Sequence, residues 1–187
     1  MSVPREIRTD RLLLRRWVQS DRAPFAELNA DARVMEHFPS VLTRAESDAA
    51  VDRIEAHFER HGFGLWAVEV PDRAPFIGFV GLAVPSFDAH FTPCVEVGWR
   101  LAVDRWGRGY ATEAARAALA IGFGPLALEE IVSMTVPDNH RSRRVMERLG
   151  MTRDPADDFV HPSQQDHRRH VLYRLQATDF NASHQPA

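Results

Sequence analysis

Three strand-like segments follow one another in the first half of the chain with only short turn sequences between them. They span Leu65–Val70, 76–84 and 94–103, and each is followed by a proline or an aspartate typical of turns. Connections this short join antiparallel strands, because a parallel crossover needs about a dozen residues or more, usually as a helix. The sequence therefore predicts an antiparallel meander rather than β–α–β units in this region.

The second half of the chain has a different pattern, in which helices and strands alternate after a glycine-rich turn. In chain order, the elements predicted there are a helix at 112–122, a strand at 130–136, a helix at 139–149 ended by Gly150, and a strand at 170–175. A further strand is predicted at 11–17. Together these give a mixed α/β (α+β) fold with a mostly antiparallel sheet of about six to seven strands and about four helices.

Two early helices carry capping signals. Thr43 and Glu46 form a capping box, which opens a helix that we expect to end at Gly62. Asp21 is predicted to cap a shorter helix that carries Phe25.

Length, composition and charge indicate one soluble domain. The 187 residues are 44% hydrophobic and 26% charged, and the formal net charge of −3 argues against a general nucleic-acid binder. We place the core at about 9–176 and expect 177–187 to be a flexible tail. Cys94 is the only cysteine, so no intramolecular disulfide can form. Because we also find no signal peptide and no membrane-length apolar run, we expect a cytoplasmic protein.

The segment 106–111, Trp-Gly-Arg-Gly-Tyr-Ala, is a candidate anion-binding turn. Gly107 and Gly109 allow backbone conformations that other residues avoid, and several amides then point the same way at a helix start. That end of a helix carries about half a positive charge, which suits a phosphate. A dinucleotide-binding motif is disfavoured, because it needs a third glycine where Thr112 stands and a parallel strand in front. By itself the turn is weak evidence, since an ordinary glycine turn has the same sequence.

Four segments that occur in order make this turn more specific. They are 9–15, 95–101, the turn itself and 139–151. Together they resemble the GNAT superfamily of N-acetyltransferases, in particular the branch that includes the ribosomal-protein N-terminal (alanine/serine) acetyltransferases. The resemblance covers about residues 9–175. It implies a single acetyltransferase domain over 1–187 and acetyl-CoA as the co-substrate.

The resemblance also implies where the coenzyme binds. Amides of the turn would hold the pyrophosphate, and the pantetheine arm would lie where the sheet splays in the middle, against the backbone of 101–103. The family motif starts with Gln or Arg where this chain has Trp106, a departure that is usual in this branch. The residues predicted to bind the coenzyme are Leu101, Ala102, Val103, Trp106, Gly107, Arg108, Gly109, Tyr110, Ala111, Thr112, Asn139, Ser142 and Arg144.

Two of these assignments have alternatives. Asn139 reaches the coenzyme arm in the family, but at a helix start it can equally be an N-cap. Arg143 and Arg144 are either solvated surface charges, or one of them contacts a coenzyme phosphate. We predict that contact for Arg144.

Glu96, Ser142 and Tyr173 are the predicted catalytic residues. Period-two counting puts Glu96 on one strand face with Gly98 and Arg100, and it is the candidate general base. The alternatives for Glu96 are an exposed carboxylate, an ion pair with Arg100, or a water relay in place of a base. By the resemblance, Ser142 lies near the thioester sulfur and would protonate the leaving thiolate, with Tyr173 as the second choice.

The sequence indicates less about where the acceptor amine binds. By the resemblance it lies between the loop at 35–43 and the segment 154–166. Phe38 and Phe159 are candidate aromatic walls, and Asp157 could attract a cationic amine. Glu69 is a further candidate contact and, like His140, a weaker alternative base.

Nine histidines raise the question of a metal site. The pairs are His57 with His61 and His167 with His170, and neither has a cysteine or carboxylate at ligand spacing, so we predict no metal.

Three functions fit the sequence: an N-acetyltransferase for protein N-terminal amines, the same chemistry on a small amine such as an antibiotic, polyamine or amino acid, and a non-catalytic acyl-CoA sensor. The expected partners are coenzyme A and an amine, without nucleic acid or membrane. Many relatives dimerise, so a homodimer is a further expectation.

Overall fold

The three central segments form neighbouring antiparallel strands, as their short connections predict. The computed structural model describes residues 3–162 and 168–182. In chain order its strands are β1 (Glu6–Arg8), β2 (Leu13–Arg15), β3 (Leu65–Val70), β4 (Ala74–Ala83), β5 (Glu96–Leu101), β6 (Glu130–Thr135), β7 (Phe159–Val160) and β8 (Arg169–Gln176). They form one sheet in the order β1-β2-β3-β4-β5-β6-β8-β7, and within the described ranges only β5 and β6 pair in parallel.

This sheet confirms the predicted mixed, mostly antiparallel α/β fold. It has eight strands rather than six or seven because short strands close both edges. These are β1, of three residues, and β7, of two. Strands this short carry too little alternation to be recognised from sequence.

Four helices accompany the sheet, with a short fifth at the end of the described chain. They are α1 (Arg22–Ala30), α2 (Arg44–His61), α3 (Tyr110–Phe123), α4 (His140–Arg148) and α5 (Ala177–Ala182). The capping box of α2 is confirmed, since the Thr43 side chain accepts from the Glu46 amide and the Glu46 carboxylate accepts from the Thr43 amide. The helix ends at Gly62, whose φ of 74° is left-handed.

The predicted cap at Asp21 is wrong. Its carboxylate is buried and accepts hydrogen bonds from the Val18 amide and from both terminal nitrogens of Arg15. A carboxylate held by a buried guanidinium has a stronger partner than a helix amide, so Asp21 makes no side-chain cap to α1.

Helix α3 approaches the sheet closely because its inward face is made of alanine. Ala114, Ala115 and Ala118 are fully buried in the same core as Val97 and Leu101 of β5. Since side chains alternate along a strand, the even-numbered residues of β5 face away from α3. This division leaves one face of β5 free to line a site.

The predicted flexible tail is wrong for its first part. Residues 177–182 form α5, and its Phe180 is buried with the ring 5.1 Å from that of Phe123. Residues 183–187 lie outside the described part of the chain.

Candidate active site

The parallel strands β5 and β6 meet at one end and diverge at the other. They pair at one register position, Glu96 with Val132. The Val132 amide donates to the Val95 carbonyl (2.9 Å), and the Ser133 hydroxyl donates to the Val97 carbonyl (2.9 Å). Beyond this point a cavity of about 590 Å³ extends to the end of both strands. The sheet is therefore splayed in the middle.

The strand β5 turns some of its backbone groups toward this gap. Because the Ala102 amide donates to the Ile77 carbonyl of the other neighbour, alternation directs the N–H and C=O of Trp99 into the gap. The Leu101 carbonyl accepts the Trp106 indole N–H at 2.8 Å, and Val103 begins a 3-10 turn. The predicted pantetheine contact at 101–103 therefore needs correction, and Trp99 with the Leu101 amide offers the better backbone edge.

The glycine-rich turn forms an amide cradle at the wide end of the gap. Gly107 and Gly109 have φ angles of 72° and 80°, in the left-handed region that favours glycine. The first intrahelical bond of α3 runs from Glu113 to the Gly109 carbonyl, so the amides of the three residues between them have no intrahelical acceptor. Those residues, which line the cavity, are Tyr110, Ala111 and Thr112.

Two predicted contributors to the turn act differently from expectation. Trp106 fastens the turn to the strand end through its indole hydrogen bond, and the Arg141 guanidinium lies 4.5 Å over its ring. Arg108 does not line the cavity, since its Nε donates to the Asp104 carbonyl at 3.3 Å. The backbone of the turn, rather than the arginine side chain, presents the positive charge.

A clasp from the N-terminal segment holds this turn in place. Arg11 binds the Glu113 carboxylate through its Nε (2.6 Å) and its amide (3.0 Å), and its Nη1 donates to the Arg108 carbonyl (3.0 Å). Thr9 also donates to Glu113, at 2.5 Å. The segment 9–15 was recognised in the sequence, but only the folded chain shows that its hydrogen bonds hold the turn.

The start of α4 forms the opposite wall of the gap. Asn139 is an N-cap, whose Oδ1 accepts from the Ser142 amide at 3.2 Å and whose Nδ2 donates to Thr135. Ser142 is half-buried and lines the cavity, as does the exposed Arg144. Arg143 instead donates to the Pro137 carbonyl and to Tyr173. Of the two arginines, only Arg144 is placed to meet a phosphate.

Glu96 lies on the wall of the cavity, near the narrow end of the gap. Its Oε1 is 3.9 Å from where a Cβ on Gly98 would stand, so its carboxylate lies over the strand. Burial raises the pKa of Glu96 to about 7. The alternative of an ion pair with Arg100 is wrong, because no ion pair of Glu96 occurs within the described ranges. The position and the raised pKa both suit a general base.

Three other predicted site residues lie outside the cavity. The Tyr173 hydroxyl is buried between Arg143 and Glu147, at 3.2 Å from each. Glu69 accepts from Arg15 at 3.0 Å. Asp157 accepts from Arg174 at 2.7 Å. All three groups are hydrogen-bonded to residues distant in sequence, so they are not part of the site.

The loop between α1 and α2 reaches the cavity as predicted, and Phe38 lines it. Phe159 does not, since it is buried in a satellite cluster, and Phe87 and His161 form that part of the wall. The rest of the predicted wall, 163–166, lies outside the described residues. Arg100, which stacks against Phe38, was missed as a site residue although it follows Glu96 at period two.

The first of the two histidine pairs, His57 and His61, has structural surroundings. The two ring nitrogens of His57 contact the Phe63 carbonyl (2.9 Å) and the Val84 amide (3.0 Å). The ring of His61 lies 4.3 Å from that of His57. No group of three or more potential metal ligands occurs in 3–162 and 168–182, and His167 falls outside these ranges.

A family model described as an acetyltransferase (GNAT) domain matches residues 11–152. The chain belongs to the GNAT acetyltransferases. It is 31% identical over 149 residues to the uncharacterized N-acetyltransferase YnaD of Bacillus subtilis, covering 79% of this chain and 83% of that one. A solved acetyltransferase from Agrobacterium tumefaciens is similar at 28% identity with a TM-score of 0.76, covering 94% and 96% of the two chains. The ribosomal-protein-S5-alanine acetyltransferase of Vibrio fischeri shares the fold at 16% identity, with a TM-score of 0.73 and coverage of 97% and 99%.

This acetyltransferase has the features that its family's co-substrate, acetyl-CoA, requires. The amide cradle suits a diphosphate, the gap beside Trp99 offers a backbone edge for the amide-rich arm, and Ser142 lies across that gap. Among the described helices, none is both long and apolar enough to cross a bilayer.

Proposed function

We propose that this GNAT acetyltransferase acetylates a primary amine by direct attack on the thioester of acetyl-CoA, with Glu96 as the general base. The observation that carries the proposal is a carboxylate on the cavity wall with no ion-pair partner among the described residues and a pKa of about 7. A base whose pKa lies near the working pH is both available and strong enough to accept a proton.

The reaction conserves atoms and charge within this arrangement. The amine nitrogen bonds to the carbonyl carbon, and the carbon–sulfur bond breaks. Glu96 takes the proton that the nitrogen loses. Ser142 gives a proton to the departing sulfur, and water carries the proton from Glu96 back to Ser142, so that both side chains return to their starting state. The amides after Gly109 and the side chain of Arg144 bind the phosphates, so positioning the reactants supplies much of the acceleration.

A protein N-terminal amine is one acceptor class for this chemistry. With a pKa near 8, about a tenth of such amines are neutral at pH 7, whereas well under about 0.1% of lysine side chains are. The resemblance of the sequence motifs to the ribosomal-protein branch supports this class. A small-molecule amine is the second candidate, and one that also carries an anionic group suits the cavity, because six of its described lining residues are arginines and Glu96 is the one acid among them.

A free-thiol assay with acetyl-CoA tests the proposal against panels of N-terminal peptides and small amines. We expect acceptor-dependent thiol release, lowered about 10²–10⁴-fold in Glu96→Gln. Ser142→Ala should lower the rate while coenzyme binding is retained. Coenzyme binding without thiol release from any acceptor would instead indicate an acyl-CoA sensor. If only lysine side chains or small amines are acetylated, the N-terminal class is excluded.

A further inference from the structure

Arg100 carries a positive charge on the acceptor side of the cavity. It lies on the face of β5 that points away from α3, two residues beyond Gly98. The guanidinium is 4.1 Å from the ring centre of Phe38 and 5.5 Å from that of Phe79. Its Nη1 donates to Asn29 Oδ1 at 2.6 Å, and the buried Asn29 is in turn held by Ser47. The aromatic rings and the amide fix the guanidinium in place.

This arginine has no carboxylate partner among the described residues, and its buried Nε has no hydrogen-bond acceptor there. Arg15, Arg153 and Arg174 are also partly buried, and each pairs with at least one carboxylate. Burial lowers the pKa of Arg100 to about 10, so it stays charged at neutral pH. A buried charge without a counter-ion is unfavourable, and an anion that enters the cavity would relieve that cost.

The remaining charges of the cavity are accounted for. Arg33, Arg105 and Arg141 each lie within 3 Å of an aspartate or glutamate oxygen. Arg144 and Arg148 belong to α4, on the coenzyme side of the gap. Among the described lining residues, Arg100 is therefore the arginine on the acceptor face that is left for a ligand, and a polyamine would be repelled from it.

Glu96 and Arg100 set the spacing between the two ends of an acceptor. Four residues of extended strand separate their Cα atoms by about 13 Å, and both side chains project from the same face. An amine near Glu96 and an anion at Arg100 are consequently several bonds apart. This spacing is too long for the adjacent amine and carboxylate of a free α-amino acid.

We propose that the acceptor is a primary amine that carries a carboxylate several bonds from the nitrogen, and that Arg100 binds this carboxylate. The proposal rests on the proposed function, of which it specifies the acceptor. Two sources share this chemistry: a small ω-amino acid, and a peptide whose second residue is acidic.

Matched acceptors that differ in the carboxylate test this proposal in the thiol-release assay. The pairs are 5-aminopentanoate against butylamine, and the C-terminally amidated dipeptides Ala-Glu against Ala-Gln. We expect the carboxylate member of one pair to be favoured about 10- to 100-fold in kcat/KM, the effect of one charge-assisted hydrogen bond. The pair that shows the preference identifies the source.

The preference should disappear in Arg100→Gln, mainly through KM, because Arg100 binds a part of the acceptor that does not react. Arg100→Lys keeps the charge and should retain part of the preference. Comparing the two variants therefore distinguishes loss of the charge from loss of folding. Arg53→Gln removes an exposed arginine of α2 outside the cavity and should change nothing. Equal rates for both members of each pair, or a preference that survives in Arg100→Gln, would overturn the proposal.

A second readout does not require turnover. In the presence of coenzyme A, 5-aminopentanoate or Ala-Glu amide should raise the melting temperature of the wild type but not of Arg100→Gln. If no acceptor releases thiol, the proposed function fails, and the melting temperatures alone then test whether Arg100 binds a carboxylate. An equal shift in both proteins, or no shift in either, refutes that role.

Discussion

Replacing Glu96 by glutamine should make the protein more stable at alkaline pH while it removes the proposed base. Glu96 is half-buried on the cavity wall, and burial raises the pKa of its carboxyl group from 4.5 to about 7. The folded state therefore holds a proton that the unfolded state has already lost between these two values. The free energy of unfolding falls as the pH rises through this window and stays lowered above it. Glutamine has nearly the same shape and no charge to desolvate.

The size of the effect follows from the two pKa values. A rise from 4.5 to about 7 corresponds to about 3–4 kcal/mol once both states are ionised. Water in the open cavity solvates part of the charge, so we expect about 2 kcal/mol at pH 8. At pH 4.5 the carboxyl is protonated in the folded state and about half protonated in the unfolded state, and the difference should be under about 0.6 kcal/mol.

Urea unfolding of the wild type and Glu96→Gln at pH 4.5 and pH 8 measures this difference directly. Glu129→Gln is the matched control, because Glu129 is exposed and should give no pH-dependent difference. In the same proteins, kcat/KM should show an acid limb near pH 7 that only Glu96→Gln lacks. The reasoning is refuted if the variant is no more stable than the wild type at pH 8, or if the gain is equal at both pH values.

Three further outcomes follow from the turn and from a half-buried histidine. Gly109→Val should weaken acetyl-CoA binding at least tenfold in calorimetry with unchanged circular dichroism, since valine is strained at a φ of 80°. The control is Gly62→Val, which imposes similar strain at a φ of 74° but lies outside the cavity and should bind acetyl-CoA normally. Trp106→Phe removes the hydrogen bond to the Leu101 carbonyl and should cost about 1 kcal/mol in urea unfolding, and no change would discount that bond. Burial lowers the pKa of His57, so the unfolded state gains protons first and stability falls as the pH drops below about 6.5. His57→Gln should flatten that decline, and an unchanged slope would assign it to other groups.

Much of the fold could be predicted from the sequence because the signals are local. A run of strand-forming residues ended by Pro71 and Asp72 located β3, and the capping box with Gly62 located both ends of α2. The glycine-rich turn predicted where α3 starts. Period-two counting placed Glu96 on a face with Arg100 without reference to any other element. Hydrogen bonding and packing within about four residues determine each of these features.

What only the tertiary structure decided is the pairing of charges across the fold. Tyr173, Glu69 and Asp157 each had the right chemistry for a site, and each is engaged elsewhere by a group on another element. The same cause hid Arg100, whose surroundings come from Asn29, Phe38 and Phe79, in three different segments. The sequence by itself determined which groups are available and which face of β5 they occupy. Long-range packing decided which of those groups are neutralised, and so left both Glu96, the proposed base, and Arg100 without an ion-pair partner in the described part of the chain.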